Sequence, residues 1–327
     1  MQKITVFSSQ PYDSESLTHW GLGQYEWNFV SQKLDVVTAA QAAGSAAICV
    51  FVNDDLSAAV FDVLATLGIK IVVLRCAGYN NVDVSYAKQL GIRLARVPAY
   101  SPEAVAEHCI AMILCLNRKL HKAYNRVRDD NFSLNGLLGF NLHGKTVGII
   151  GTGRIGLATA KILAGFGCSV LCVDPQHQPL PNSLCRYVDI NELYQEADII
   201  SLHCPLTPDT FHMINQQSLA KMKAGVMLIN TSRGGLIDTK AVIEGLKSKQ
   251  IGYLGLDVYE QEADLFFKDL SLNVIADEVF QRLLTFPNVL ITGHQAFFTA
   301  EALAQIGQIT CENLQRLLDN QPCENSL

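Results

Sequence analysis

Short β-branched runs alternate along this chain with longer stretches whose apolar residues recur at helical spacing, with Gly, Asn or Asp at the changes. That alternation restricts the fold to parallel sheet, because parallel neighbours need a crossover of a dozen or more residues between them. In the first hundred residues the runs are Ile4 to Ser8, Ala47 to Val52, Ile71 to Arg75 and Ile92 to Val97, which predicts one small α/β unit. A helix is predicted from Pro102 to about His121, with Val105, Cys109, Met112, Leu116 and Leu120 on one stripe, and a polar segment from Arg126 to Asn135 follows it. The second series is Val147 to Ile150, Ser169 to Asp174, Asp198 to His203, Val226 to Asn230, Tyr253 to Val258 and Val289 to Thr292. This predicts a doubly wound sheet. Ala300 to Leu318 reads as a final helix, and 327 residues at roughly 150 per domain suggest two domains.

Composition narrows the function classes. Hydrophobic residues at 49% against charged ones at 17% exclude a disordered chain, and a net charge of −6 argues against a broad cationic face for duplex nucleic acid. Ten cysteines are scattered singly with no CxxC pair, so they read as reduced thiols. The strongest apolar stretch, Val105 to Leu116, is broken by Glu107 and His108 and falls short of the ~20 residues of a membrane span. The N-terminal residues lack the pattern of a secretion signal, so a cytoplasmic protein is expected. No metal-ligand spacing is present.

Residues Lys145 to Gly156 read KTVGIIGTGRIG, a strand that runs through Gly151-x-Gly153-x-x-Gly156 into a helix. Gly151 permits the tight turn, Gly153 lets a pyrophosphate approach the backbone and Gly156 lets helix and strand lie close, while the helix N-terminus offers free NH donors. Asp174 follows eighteen residues past Gly156 at the next strand end, where a carboxylate bonds ribose hydroxyls and repels a 2′-phosphate. NAD is therefore expected over NADP.

A nicotinamide enzyme acting on a ketone must hold the substrate and deliver a proton as hydride arrives. Three consecutive strand ends offer groups for this: Arg233 in Asn230-Thr-Ser-Arg-Gly-Gly, Glu262 in Leu256-Asp-Val-Tyr-Glu-Gln-Glu, and His294 in Thr292-Gly-His. Arg233 can hold a carboxylate or carbonyl oxygen with two donors. Glu262 bonded to one ring nitrogen of His294 would fix its tautomer and favour the protonated ring, leaving the other nitrogen as general acid. His203, also at a strand end, is the competitor.

These residues carry a resemblance to the D-isomer-specific 2-hydroxyacid dehydrogenase family. Beyond GTGRIG it includes RCAGYNNVD at 75–83, VPAYSPEAVAEH at 97–108, SLHCPLTPDT at 201–210, NTSRGGLID at 230–238, GLDVYEQE at 255–262 and TGHQAFFTAEA at 292–302. Three segments look most like the bacterial fermentative D-lactate-forming branch: RCAGYNNVD, TGHQAFFT, and the stretch from Asn117 to Gly139. The resemblance implies two Rossmann-like or flavodoxin-like α/β domains with parallel sheets. In it a NAD-binding domain, 101–298, is inserted into a substrate domain, 1–100 plus 299–327.

It also implies Arg233, Glu262 and His294 as the catalytic set. Backbone NH groups at Ala77 and Gly78 would hold the substrate carboxylate, with Tyr100 nearby and Phe297 near the substrate's methyl group. Gly151, Gly153, Arg154, Ile155, Gly156, Asp174, Cys204, Pro205, Thr210, Thr231, Ser232 and Asp257 would line the cofactor site. Many relatives have Pro where this chain has Gly293. The implied activity is reversible NADH-dependent reduction of pyruvate to D-lactate by a homo-oligomer, dimer or tetramer. The alternatives are a related enzyme for hydroxypyruvate, phenylpyruvate or a branched 2-oxo acid, and a non-enzymatic NAD-sensing binding protein.

Overall fold

The two series of β-branched runs build two separate parallel sheets. The computed structural model describes residues 1–178 and 184–327. The chain divides into two units, Met1–Ser101 with Phe298–Leu327, and Pro102–Phe297.

The first unit holds β1 (Gln2–Val6), α1 (Pro11–Trp20), β2 (Tyr25–Phe29), β3 (Ala47–Val50), α2 (Ala58–Thr66), β4 (Ile71–Leu74), α3 (Val84–Gln89) and β5 (Arg93–Arg96). Its described strands pair in the order β2-β1-β3-β4-β5, all parallel. This is the flavodoxin-like order. The central strands β3 and β4 are buried at every residue, as helices on both faces require. Ile48, Val50, Val72 and Leu74 face Val60, Phe61 and Leu64 of α2. Ala47, Cys49, Ile71 and Val73 face the other way, toward Leu17 of α1 and Cys311, Leu314 and Leu317 of the C-terminal helix. Each Val, Leu or Ile so enclosed contributes roughly 1.5–3 kcal/mol by leaving water.

One strand of this unit escapes the sequence pattern. β2 reads Tyr-Glu-Trp-Asn-Phe, with no β-branched residue, and lies at the sheet edge, where alternation of aromatic and polar residues suffices. Its aromatic side packs on itself, Tyr25 edge-on to Trp27 with ring centroids 5.3 Å apart and Trp27 stacked on Phe29 at 5.8 Å.

The second unit begins with α4 (Pro102–Arg118), α5 (Leu120–Arg128), β6 (Thr146–Ile150), α6 (Arg154–Gly165) and β7 (Ser169–Val173). It continues with β8 (Arg186–Tyr187), α7 (Ile190–Glu196), β9 (Ile199–Leu202), α8 (Gln216–Leu219), β10 (Val226–Asn230) and α9 (Thr239–Lys247). β11 (Ile251–Leu256), α10 (Glu278–Leu284) and β12 (Val289–Ile291) complete it, and α11 (Ala300–Leu318) returns to the first unit, packing on α1, β4 and β5. The described strands run β12-β11-β10-β9-β6-β7-β8, all parallel. This is the Rossmann order with one strand added beyond the last, and its switch point lies between β6 and β9. Two-residue β8 is too short to leave a sequence pattern.

The helix predicted to His121 is two helices. Lys119 takes φ 51 and ends α4, so α5 leaves on a new axis with no buried residue. No Gly or Pro marks this break, because lysine itself adopts the left-handed conformation.

Candidate active site

The glycine loop after β6 is dictated by contact. A Cβ on Gly151, whose φ is +97, would stand 2.5 Å from the backbone nitrogen of Cys204, and one on Gly156 would stand 1.9 Å from the Gly151 carbonyl oxygen. Neither position admits a side chain. Gly153 differs: it is the extended N-cap of α6, and a Cβ there would meet nothing within 4 Å. The NH groups of Gly153, Arg154, Ile155 and Gly156 donate to no partner among the described residues. An open backbone surface with unspent donors at a helix N-terminus suits a pyrophosphate.

Asp174 follows β7, with Oδ2 accepting from the Thr152 NH at 2.7 Å and Oδ1 from the Gln176 NH at 2.8 Å. The carboxylate is thus anchored to the glycine loop, and each oxygen keeps a lone pair for a hydroxyl. Across the switch point, Ser232 Oγ donates to the Cys204 carbonyl at 2.7 Å and Thr210 Oγ1 to that of Pro205 at 2.7 Å. Burial pushes the Cys204 thiol up to about 11, so it is no nucleophile at neutral pH. Thr231 is buried and its Oγ1 has no hydrogen-bond partner among the described residues. An orphaned buried hydroxyl at the end of β10 fits a polar ligand such as a dinucleotide.

Arg233 follows β10. The buried Asn230 shapes its turn, donating from Nδ2 to the Arg233 carbonyl at 2.8 Å and accepting from the Ser232 NH at 3.0 Å. Nη1 of Arg233 donates to the Ser232 carbonyl at 2.7 Å, and no carboxylate pairs with the guanidinium among the described residues. The next residue, Gly234, lies so close to the strand-end loop after β11 that a Cβ would come within 2.1 Å of the Tyr259 carbonyl carbon. The Arg233 loop therefore rests on the loop that carries Glu262.

Glu262 and His294, 32 residues apart in sequence, meet: Nδ1 of His294 lies 2.7 Å from Oε1 of Glu262, each side chain 15% exposed. The carboxylate can only accept, so Nδ1 carries the proton and Nε2 is the reactive nitrogen. Nε2 has no partner among the described residues. His203, the competitor, is held differently. Burial pushes its pKa down to about 4, and Nε2 sits 2.9 Å from Ser201 Oγ, so it is neutral where a general acid must be charged.

The sequence reading gives Asp257 only a place in the cofactor site and gives His108 and Thr292 no role, yet these three support the loop that carries His294. Asp257 is fully buried and gathers the loop after β12: Oδ1 accepts from Thr292 Oγ1 at 2.6 Å and the Gln295 NH at 2.9 Å, and Oδ2 from the Ala296 NH at 2.9 Å. His108, on α4, places Nε2 3.2 Å from Thr292 Oγ1 and 3.4 Å from Asp257 Oδ1. A polar residue breaking the apolar run of α4 was the available signal. The Asp257 carbonyl also accepts from the His294 NH at 2.7 Å, which holds His294 at φ 55. Further back, Nε2 of His212 lies 2.6 Å from Oε1 of Glu260, whose Oε2 accepts from Thr239 Oγ1 at 3.0 Å.

The other residues named from the sequence are distributed between the units. Ala77 and Gly78 follow β4 in the first unit, with the Ala77 carbonyl held by Arg96 Nη1 at 2.6 Å and the Gly78 carbonyl by Cys76 Sγ at 3.3 Å. Neither of their NH groups has a partner among the described residues. Tyr100 is half-buried in the same unit, and Phe297 is buried in the second.

A Rossmann sheet with an open glycine loop after β6, and a carboxylate-oriented imidazole after β12 of the same sheet, define a dinucleotide-dependent oxidoreductase. Residues 110–296 match the D-isomer specific 2-hydroxyacid dehydrogenase, NAD binding domain, and the chain belongs to that family, with NAD as its cofactor. It is 52% identical to the D-lactate dehydrogenase of Escherichia coli over 99% of each chain. Among solved structures it is similar to the apo-structure of D-lactate dehydrogenase from Escherichia coli, with TM-score 0.89, 49% identity and 100% of both chains covered. It is also similar to the pyruvate reductase of Chlamydomonas reinhardtii, with TM-score 0.91, 43% identity, and 99% and 98% covered.

Proposed function

We propose that this chain reduces pyruvate to D-lactate, reversibly, with His294 as general acid and base. The observation that carries the reading is the 2.7 Å pair of Glu262 and His294, which leaves Nε2 without a partner among the described residues, in a family whose named relatives act on lactate and pyruvate. NADH, when bound, supplies the hydride. The NH groups of Gly153 to Gly156 hold its pyrophosphate, Asp174 its adenine ribose, and Thr231, Ser232, Cys204, Pro205, Thr210 and Asp257 the rest of its site.

Unspent NH groups at Ala77 and Gly78 bind the substrate carboxylate, and Tyr100 and Phe297 complete the substrate contacts. Arg233, with no carboxylate partner among the described residues, grips the 2-oxo acid with two donors. Nε2 of His294 gives its proton to the carbonyl oxygen as that oxygen gains charge, and Glu262 keeps the remaining proton on Nδ1. In the reverse direction the same nitrogen takes the hydroxyl proton.

We further assign the protein to the cytoplasm and to a homo-oligomer. All ten cysteines are free thiols, and no described helix is long and apolar enough to cross a membrane. Leu120, Tyr124 and Val127 on α5, with Phe132, Leu134 and Leu138 beyond it, expose large apolar side chains that a second copy would cover. Light scattering reads the subunit number. The test of the activity is NADH oxidation across pyruvate, hydroxypyruvate, phenylpyruvate and branched 2-oxo acids, with the product's handedness determined. Pyruvate preferred, with D-lactate formed, supports the reading; L-lactate, or no NADH oxidation with any acid, overturns it.

A further inference from the structure

Two consecutive phenylalanines after Glu262 take opposite courses. Phe266 is buried, its ring edge-on to Phe280 at a centroid distance of 6.1 Å. Phe267 takes φ 63, and its ring lies 5.6 Å from the imidazole of His294, with the planes 40° apart. The turn that leads into them starts at Glu262 itself, whose carbonyl accepts from the NH groups of Leu265 at 2.9 Å and Phe266 at 2.8 Å. A left-handed backbone is sterically unfavourable for a bulky side chain, and it persists only where its surroundings overdetermine it. Glycine would sit there at ease. The chain instead keeps an aromatic ring in a conformation suited to glycine, and that conformation brings the ring to the imidazole.

The imidazole needs such a contact. Glu262 restrains it at Nδ1, and the hydrogen bond from the His294 NH to the Asp257 carbonyl fixes its backbone. One hydrogen bond at a ring edge still lets the ring plane tilt about that bond, which would swing Nε2 away from its target. A neighbouring aromatic ring at this distance and tilt is a favourable partner that restrains the plane.

We propose that Phe267 is a positioning residue for proton transfer: its strained backbone is the means of pressing its ring against His294, so that Nε2 keeps its aim. The inference rests on the reading of His294 as proton donor. Geometry of this kind is costly to lose, since a misplacement of about 1 Å lowers rates by up to ~100-fold.

The test compares Phe267→Ala, Phe267→Gly and Phe267→Tyr with the wild type in steady-state turnover of pyruvate, in solvent isotope effect and in thermal melting. The Ala and Gly variants are expected to lose on the order of tenfold in kcat, with KM for pyruvate little changed and a larger solvent isotope effect. Tyr restores kcat. The Gly variant melts at or above the Ala variant, because glycine is relieved of the positive φ, yet it is equally slow. Stability and turnover thus separate, which a merely structural role does not produce. Unchanged kcat in Ala and Gly, or losses that follow melting temperature across all three variants, overturn the inference while leaving the proposed function standing. A wild type inactive toward pyruvate overturns both.

Discussion

Nδ1 of His294 donates to Oε1 of Glu262 at 2.7 Å, and the other oxygen of that carboxylate accepts from the Tyr259 NH at 3.0 Å. Glu262 is therefore fixed at both oxygens, and through it the imidazole is aimed from the backbone of the preceding turn. Replacing His294 by Gln keeps a polar side chain but removes the transferable proton. His294→Gln is expected to cost at least ~100-fold in kcat, the usual scale for a general acid, with the dissociation constant for NADH preserved. Stopped-flow turnover and NADH fluorescence titration check the two halves; near wild-type turnover would remove His294 from the role.

Asp257 holds the loop on which His294 stands. Burial alone would raise its pKa, but hydrogen bonds from His108, Thr292 and the Ala296 NH outweigh it, so the carboxyl lies below its ordinary 3.8. A folded-state value below the unfolded one gives stability that is complete above the unfolded pKa and is lost as pH falls through the folded one. Asp257→Asn would turn an amide NH₂ toward buried donors, at a cost of roughly 1–3 kcal/mol. The difference in melting temperature between wild type and variant should be full at pH 6 and narrow below about pH 3.8. A constant difference down to pH 3 would mean that the ionised carboxylate is not what holds the loop.

These residues also show what a sequence displays and what it hides. Gly151 and Gly156 are legible because their constraint is local: each is forced by a backbone atom that any strand-turn-helix of this type brings close. The strand ends carrying Arg233, Glu262 and His294 are legible for a similar reason, since strands of a parallel sheet all point their loops to one edge. Asp257 is read from the sequence only as a cofactor residue, and its association with His108 and Thr292 is not legible, because it joins α4 to strand ends about 150 and 184 residues further along and has no periodicity. β2 was missed because an edge strand needs only one packed side, and the break at Lys119 because its left-handed turn uses no glycine.

Arg233 has its guanidinium anchored by one hydrogen bond, to the Ser232 carbonyl, and by no carboxylate among the described residues. A lysine there would keep the charge but replace a planar fork by a point. Arg233→Lys is expected to raise KM for pyruvate by roughly tenfold or more, the equivalent of one charge-assisted hydrogen bond, with a smaller fall in kcat. Saturation kinetics at fixed NADH separate the two constants. An unaltered KM would place the substrate's grip on other donors.

Asp174 joins two functions that a pair of substitutions can separate. Its oxygens anchor the Thr152 and Gln176 NH groups, and its charge faces the position where a 2′-phosphate would lie in the proposed cofactor pose. Asp174→Ala loses both the anchor and the charge. NADH binding should weaken by about 10- to 100-fold, the range of a hydrogen bond to an ionised group, and discrimination against NADPH should collapse. Asp174→Asn keeps one acceptor oxygen for the glycine loop while discarding the negative charge, so it should lose less NADH affinity and gain more for NADPH. Equal NADH losses in the two variants would make loop anchoring irrelevant to binding. Undiminished NADH affinity in Asp174→Ala would mean that the ribose is read by another group.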